Sequence, residues 1–299
     1  MNTQKLSAHR KDVGGIPVAR LLPNTGRRTI GAWCFLDHAG PATFENGNPG
    51  IQVGAHPHTN LQTFTWMLAG EVWHQDSLGS RQLIRPGQVN LMTAGTGPAH
   101  GISHTEQTPA GVDRLHAVQL WIALPMNQDI GPAFEHYPEL PSWQKDGVAY
   151  VLTTGQFDGH TAPTTQYSPL LGMDMQWQQD ATAAIPVQAG WEYGALVISG
   201  SLKVGSECFG PDELAFIDTG DATTFKLEAE TGTHLMLLGG EPLPHPTLMW
   251  WNFVADTTEA LTQAVQDWNS GSARFGPEID LSGTGLKRLA APAVPGRLR

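Results

Sequence analysis

Residues 54–76 read GAHPHTNLQTFTWMLAGEVWHQD, and the fold turns on how this stretch alternates. Leu61, Thr63, Thr65 and Met67 interleave with Gln62, Phe64, Trp66 and Leu68 as far as Ala69-Gly70, and a second run begins at Glu71-Val72-Trp73-His74. A period of two marks a strand with two distinct faces, and the Ala-Gly step marks a turn, so a β-hairpin is expected. Just ahead stand His56 and His58, two apart, which an extended strand points to one side. His104 and Glu106 repeat that spacing further on. Three imidazoles and a carboxylate, with no thiolate, suit a divalent ion such as iron, manganese, nickel or cobalt and argue against a structural zinc held by cysteines.

Outward from this core, Arg85-Pro86-Gly87 is a second turn, with proline fixing one φ and glycine free to take a positive one. A strand over 88–92, a glycine-rich bend at 94–98 and a strand bearing His104 and Glu106 should follow, which sets both ligand pairs on strands separated by hairpins. His116 to Leu124 is a further apolar strand, ending at Pro125. With 34 Gly and 22 Pro between short alternating runs, the whole reads as all-β, sandwich or barrel. Pro132, Pro138 and Pro141 punctuate a linker. Beyond it, Ala195–Ile198, the turn at Ser199-Gly200-Ser201, Leu202–Val204, the turn at Gly210-Pro211-Asp212 and Glu213–Ile217 repeat the order of strands and turns in the first half, as an internal duplication would. The expected division is an N-terminal metal-binding domain at 1–135, a linker at 136–148 and a metal-free C-terminal domain at 149–299. The last contains a helix at 257–270, started by Asp256 with Glu259 three residues on and buried along Leu261, Ala264, Val265 and Trp268, and a weakly anchored tail from Ala290 to Arg299.

A chain of 299 residues, 40% hydrophobic, can bury two cores. Its 28 acidic against 17 basic residues give a net charge of −11, which opposes direct contact with nucleic-acid phosphates. Cys34 and Cys208 form no disulfide framework and are expected as buried free thiols. Neither a signal-peptide core near Met1 nor an apolar run of about 18 residues occurs, so a mature chain starting at Met1, cytoplasmic, monomeric and without a membrane span, is expected.

Several longer segments carry a family resemblance: residues 54–79, Pro86 to Gly95, Leu115 to Trp121, Leu238 to Leu243, Trp250 to Val254 and Phe35 to Pro41. Together they resemble the pirin family of the cupin superfamily over nearly the whole chain. The resemblance implies two cupin-type β-sandwich barrels in tandem, the first binding iron through His56, His58 and a His-x-Glu pair. The family's usual spacing after Gly95 lands on His100, whose i+2 neighbour Ile102 cannot bind a metal. The flanks match at His104 and Glu106 instead, because a loop absorbs extra residues more readily than a metal site changes ligand type. His100 would then line the pocket mouth or support a ligand. Gln62 departs from the family's usual Glu and is expected to leave less negative charge beside the metal.

The resemblance further implies an Fe(II)-dependent dioxygenase of quercetin 2,3-dioxygenase type, acting on a small flavonol-like aromatic, with Glu106 as ligand and proton acceptor. Nickel, manganese, cobalt or zinc are the alternative ions. A regulatory protein that senses redox state through its iron and binds protein partners without turnover is the alternative function, and a purely structural metal is a third. Phe35, Trp66, Trp73 and Met92 are candidates for an apolar mouth. His74 and His116, each alone on a strand with no i+2 partner, read as structural histidines. His160 and His234 stand far apart, so no metal is expected in the second half.

Overall fold

The computed structural model describes residues 2–45 and 47–296. Its strands fall where alternation and turn residues allow them. The first are β1 (Asn2–Ser7), β2 (His9–Val13), β3 (Ile16–Leu22), β4 (Trp33–Thr43), β5 (Gln52–His58), β6 (Leu61–Gly70), β7 (Val72–Asp76), β8 (Arg81–Ile84), β9 (Val89–Thr93), β10 (Ile102–Gln107), β11 (Arg114–Ala123) and β12 (Ala133–Tyr137). There follow β13 (Ser142–Lys145), β14 (Val148–Thr154), β15 (Gln156–Phe157), β16 (His160–Thr161), β17 (Leu170–Trp177), β18 (Ala181–Pro186), β19 (Glu192–Ser199), β20 (Leu202–Val204), β21 (Glu207–Phe209), β22 (Glu213–Asp218), β23 (Thr224–Ala229) and β24 (His234–Gly240). A short pair, β25 (Leu248–Trp250) and β26 (Phe253–Ala255), leads into the helix α1 (Thr258–Asn269).

Two sandwiches result, with the same strand order. One joins a seven-stranded sheet, β12-β9-β6-β11-β4-β3-β2, to a four-stranded sheet, β5-β10-β7-β8. The other joins β1-β22-β19-β24-β17-β14-β13 to β18-β23-β20-β21. Matching the orders pairs β5 with β18, β10 with β23 and β6 with β19, so the duplication legible in the turns extends to the sheets. Inside the first sandwich, Ile16, Val18, Met67 and Ala117 from one sheet pack with Val72 and Ile84 from the other. In the second, Met173, Ala195 and Leu237 pack with Ile185, Leu202 and Phe225. Burial of such aliphatic and aromatic side chains, each worth about 1.5–3 kcal/mol, is what holds each pair of sheets together.

The expected hairpin at Ala69-Gly70 does not form. β6 pairs with β9 and β11, whereas β7 pairs with β10 and β8. Gly70, at φ 80°, turns the chain out of one sheet and into the other, and a side chain there would meet the Arg114 carbonyl. Alternation identifies a strand but not its neighbour. The turn at Gly87 (φ 79°) likewise carries the chain back between sheets, from β8 to β9.

The compact units also depart from the expected division at 135 and 149. One comprises residues 1–11, 19–38 and 137–243; the other comprises 12–18, 39–136 and 244–299. Residues 244–296 thus pack with the first sandwich. Asn60 Nδ2 donates to the Val254 carbonyl at 2.7 Å, the Leu289 amide to the Ala55 carbonyl at 2.8 Å, and Arg274 to the carbonyls of Gly97 and His100. α1 buries the expected face of Leu261, Ala264, Val265 and Trp268, against Phe253 and Phe275. Its cap is Thr257, one residue later than expected, whose hydroxyl accepts from the Ala260 amide. The segment after Ala290 is anchored rather than loose: Ala291 is buried and exchanges two hydrogen bonds with Asn269, and Pro292 accepts from the Trp250 indole. Residues 297–299 of the expected tail lie outside those described. Of the two cysteines, Cys34 is buried as expected, whereas Cys208, also expected to be buried, is exposed. No helix among the described residues is long and apolar enough to cross a membrane.

Candidate metal centre

β10 lies between β5 and β7, with His104 opposite His56 on one side and Asp76 on the other, and Glu106 opposite His74. Opposed residues share a face of the sheet, and so do residues two apart along a strand. His56, His58, His74, Asp76, His104 and Glu106 therefore all project from one face of the four-stranded sheet. Side-chain nitrogens of His56, His58 and His104 lie within 4.8 Å of one another, all three residues buried. Glu106 is on their face but outside that cluster, next to a β-bulge that shifts the β5–β10 register between His104 and Glu106. His100 is not brought in. It sits half-exposed at the surface, with Nε2 3.1 Å from the Asp129 carboxylate.

Hydrogen bonds decide which nitrogen each ring can offer. His56 Nδ1 donates to the Gly54 carbonyl at 2.9 Å, which leaves Nε2 with its lone pair free. The Asp76 carboxylate accepts from His74 Nε2 at 2.9 Å and from the Leu78 and Ser80 amides. A neutral His74 then accepts at Nδ1, where its neighbour is His104 Nδ1, at 3.3 Å. The proton on His104 accordingly sits at Nδ1, and Nε2 carries the lone pair. His104 Nε2 in turn lies 3.1 Å from His58 Nε2. Two nitrogen atoms converge with at least one lone pair between them, the arrangement a cation resolves.

Burial keeps His56, His58 and His104 neutral. It is the leading reason that His56 is held down at about 4 and that His58 and His104 are held well below the ordinary imidazole range; the neighbouring histidines push the same way. Neutral imidazole is the form that binds metal. Burial alone pushes Glu106 up to about 7, with no cation among the described residues to offset it. The donor set of three neutral imidazoles converging on one point, beside a carboxylate short of a counter-charge, fits a divalent ion.

The walls are apolar. Trp121 meets His58 edge-on at 5.1 Å, Phe134 stacks on His74 at 4.3 Å, and Met92, Ala94 and Ile102 pack with Phe134. Of the mouth candidates taken from sequence, only Met92 belongs here. Trp73 projects from the opposite face of β7, beneath the Arg81 guanidinium; Trp66 alternates to the far side of β6; Phe35 belongs to the other unit. Gln62 is also turned away. Thr63 pairs with Met92 and with Trp121, so Gln62, next in line, faces the other side and donates to Thr93 at 3.0 Å. It therefore leaves the charge beside the metal cluster unaltered. His74 and Asp76 were missed as supports because their partner, His104, lies a strand away in register; the His-x-Asp spacing on β7 was the available signal.

In the second unit, β18 and β23 occupy the places of β5 and β10, and their paired inward residues are Ala183 with Leu227 and Ile185 with Phe225. Apolar side chains stand where the first unit has imidazoles.

Comparison with known proteins gives the family. The pirin model matches residues 15–122, and the model of the pirin C-terminal cupin domain matches residues 172–276. A Pseudomonas aeruginosa protein, provisionally named a quercetin 2,3-dioxygenase, is 48% identical over 99% of this chain and 91% of its own length. A pirin-like protein of Caulobacter vibrioides is 36% identical over 91% of this chain and 94% of its own. The crystal structure of a quercetin 2,3-dioxygenase from Acinetobacter baumannii matches with a TM-score of 0.92 at 44% identity, covering 99% of this chain and 97% of that one. With both models matched and a relative nearly half identical along its length, the chain belongs to the pirin family, two cupin domains in tandem.

Proposed function

We propose that the protein is an Fe(II)-dependent dioxygenase of quercetin 2,3-dioxygenase type, acting on a flavonol-like aromatic. The observation that carries this reading is the convergence of His56, His58 and His104 nitrogens in a buried, apolar-walled site; the names of the P. aeruginosa and A. baumannii relatives supply the reaction class. His56, His58 and His104 would hold the ion, with Glu106 as the fourth ligand. Bound there, iron would supply Lewis-acid and redox chemistry toward the substrate's hydroxyl and dioxygen, since four protein ligands leave positions open.

The chain's own residues do the rest. Asp76 and His74 fix the His104 ring and its tautomer. Glu106, on the same face, would take the proton from the substrate hydroxyl on a shift of its binding mode as that group binds. Trp121, Phe134 and Met92 keep bulk water away and offer flat apolar surface to the rings. Cys34 and Cys208, neither in a disulfide, suit a reducing compartment and support a cytoplasmic site of action.

The test is direct. Protein loaded anaerobically with Fe(II) should bleach the visible absorbance of a flavonol with matching oxygen uptake, and His56→Ala should not. Turnover no greater than that of His56→Ala would end the dioxygenase reading.

A further inference from the structure

The unit built from 137–243 holds a cavity of about 700 Å³, walled by β14, β17, β18, β19 and the β15–β16 hairpin. Its volume lies within the range of pockets that enclose small molecules. Nothing in the metal chemistry above uses it.

One wall carries the rings of Tyr150, Phe157 and His160. Trp143, which does not itself line the cavity, holds them nearly parallel: it stacks on His160 at 4.2 Å and 12°, and on Tyr150 at 5.1 Å and 8°, with Phe157 beyond. Trp191 and Tyr193 supply a second aromatic pair in the lining and rim. The hairpin above is held in place rather than draped. Asp158 and Gly159 both take positive φ to make its tight turn, Gly155 at its base abuts the Leu170 carbonyl, and Lys145 clamps both oxygens of Asp158 at 2.9 and 3.0 Å. Such a cavity needs little reorganisation to accept a ligand.

Charge narrows the ligand. Lys145 and Asp158 cancel, and Asp146 adds a negative charge to the lining, so an anion is disfavoured. Tyr150, kept protonated by burial and by Asp146 and Asp158, remains a hydrogen-bond donor, and His160 adds ring nitrogens. Flat apolar walls with a few donors and acceptors complement a ring that carries hydroxyls. We propose that this cavity is a second ligand site, taking a neutral, planar, hydroxylated aromatic molecule independently of the metal centre.

The probe is 7-hydroxycoumarin, a fluorescent planar phenol with no metal-chelating pair, titrated into the full chain at mildly acidic pH where it is uncharged. Saturable binding by fluorescence anisotropy is expected. Ala183→Trp and Leu171→Trp, at inward positions of β18 and β17 that line the cavity, should each weaken it about tenfold or more with the circular dichroism unchanged. His56→Ala should leave it within about twofold, and a 3-carboxylated analogue should bind about tenfold more weakly. Absence of saturable binding, binding that survives both tryptophan substitutions, loss of binding in His56→Ala, or equal affinity for the carboxylated analogue would each overturn the proposal.

Discussion

His74 donates through Nε2 to Asp76, and that bond sets the proton positions down the line to His104 Nε2. Asp76→Asn keeps an oxygen for the Leu78 and Ser80 amides but offers an N–H to His74, which reverses both tautomers. Metal affinity should fall about 10–100-fold, measured by competition against a chelator, with the circular dichroism unchanged. Glu106 allows a second test. Its folded-state pKa is raised from 4.5 to about 7, so the native state holds the proton more tightly than the unfolded chain. The associated stability is present below 4.5 and is lost as pH rises through 7, a cost of up to about 3 kcal/mol in the metal-free protein. Glu106→Gln should therefore raise the melting temperature of metal-free protein at pH 8, leave it nearly unchanged at pH 4, and lose most of the stabilisation that metal confers. The buried histidines act with the opposite sign, destabilising the fold as pH drops from 6.5 toward 4, but they are common to both proteins and drop out of the difference. That His56, His58, His104 and Glu106 share one face was legible because each pair shares a strand and spacing alone places it there. His74 and Asp76 were not, because their role depends on which strand lies beside β10.

At the scale of elements, β5 carries two of the three imidazoles, and residues 244–296 brace its back. Gly54 is the point of contact: a Cβ there would stand 1.8 Å from the Lys287 carbonyl, and the Gly54 carbonyl itself holds His56. Gly54→Ala should force β5 and the C-terminal strap apart, at a cost of about 1–3 kcal/mol. Thermal denaturation should show that loss, and metal affinity should fall with it as His56 is displaced. A variant with wild-type stability and affinity would show that the strap does not seat β5. The period-two pattern identified β6 and β7 but could not reveal that Gly70 separates sheets instead of closing a hairpin. Strand pairing is set by burial of whole faces, which only the assembled sandwich decides.

Across the whole molecule, two sandwiches of one topology carry different interiors, imidazoles in one and Ala183, Ile185, Phe225 and Leu227 in the other. The tandem all-β architecture could be read from repeated turns, whereas the assignment of residues 1–11 and 244–299 could not, since nothing local to those segments states which core they cover. Metal should stabilise the unit of 39–136 and 244–299: an ion at a thousand times its dissociation constant contributes about 4 kcal/mol, so chelation should lower that unit's unfolding midpoint in calorimetry. The central claim, that one divalent ion sits among the four groups on β5 and β10, is tested most directly by anomalous diffraction at the iron edge from crystals grown with Fe(II). The account expects a single strong peak about 2 Å from nitrogen atoms of His56, His58 and His104 and from the Glu106 carboxylate. A peak at His100 and Asp129 instead, or none at the three imidazoles in metal-replete crystals, would contradict it.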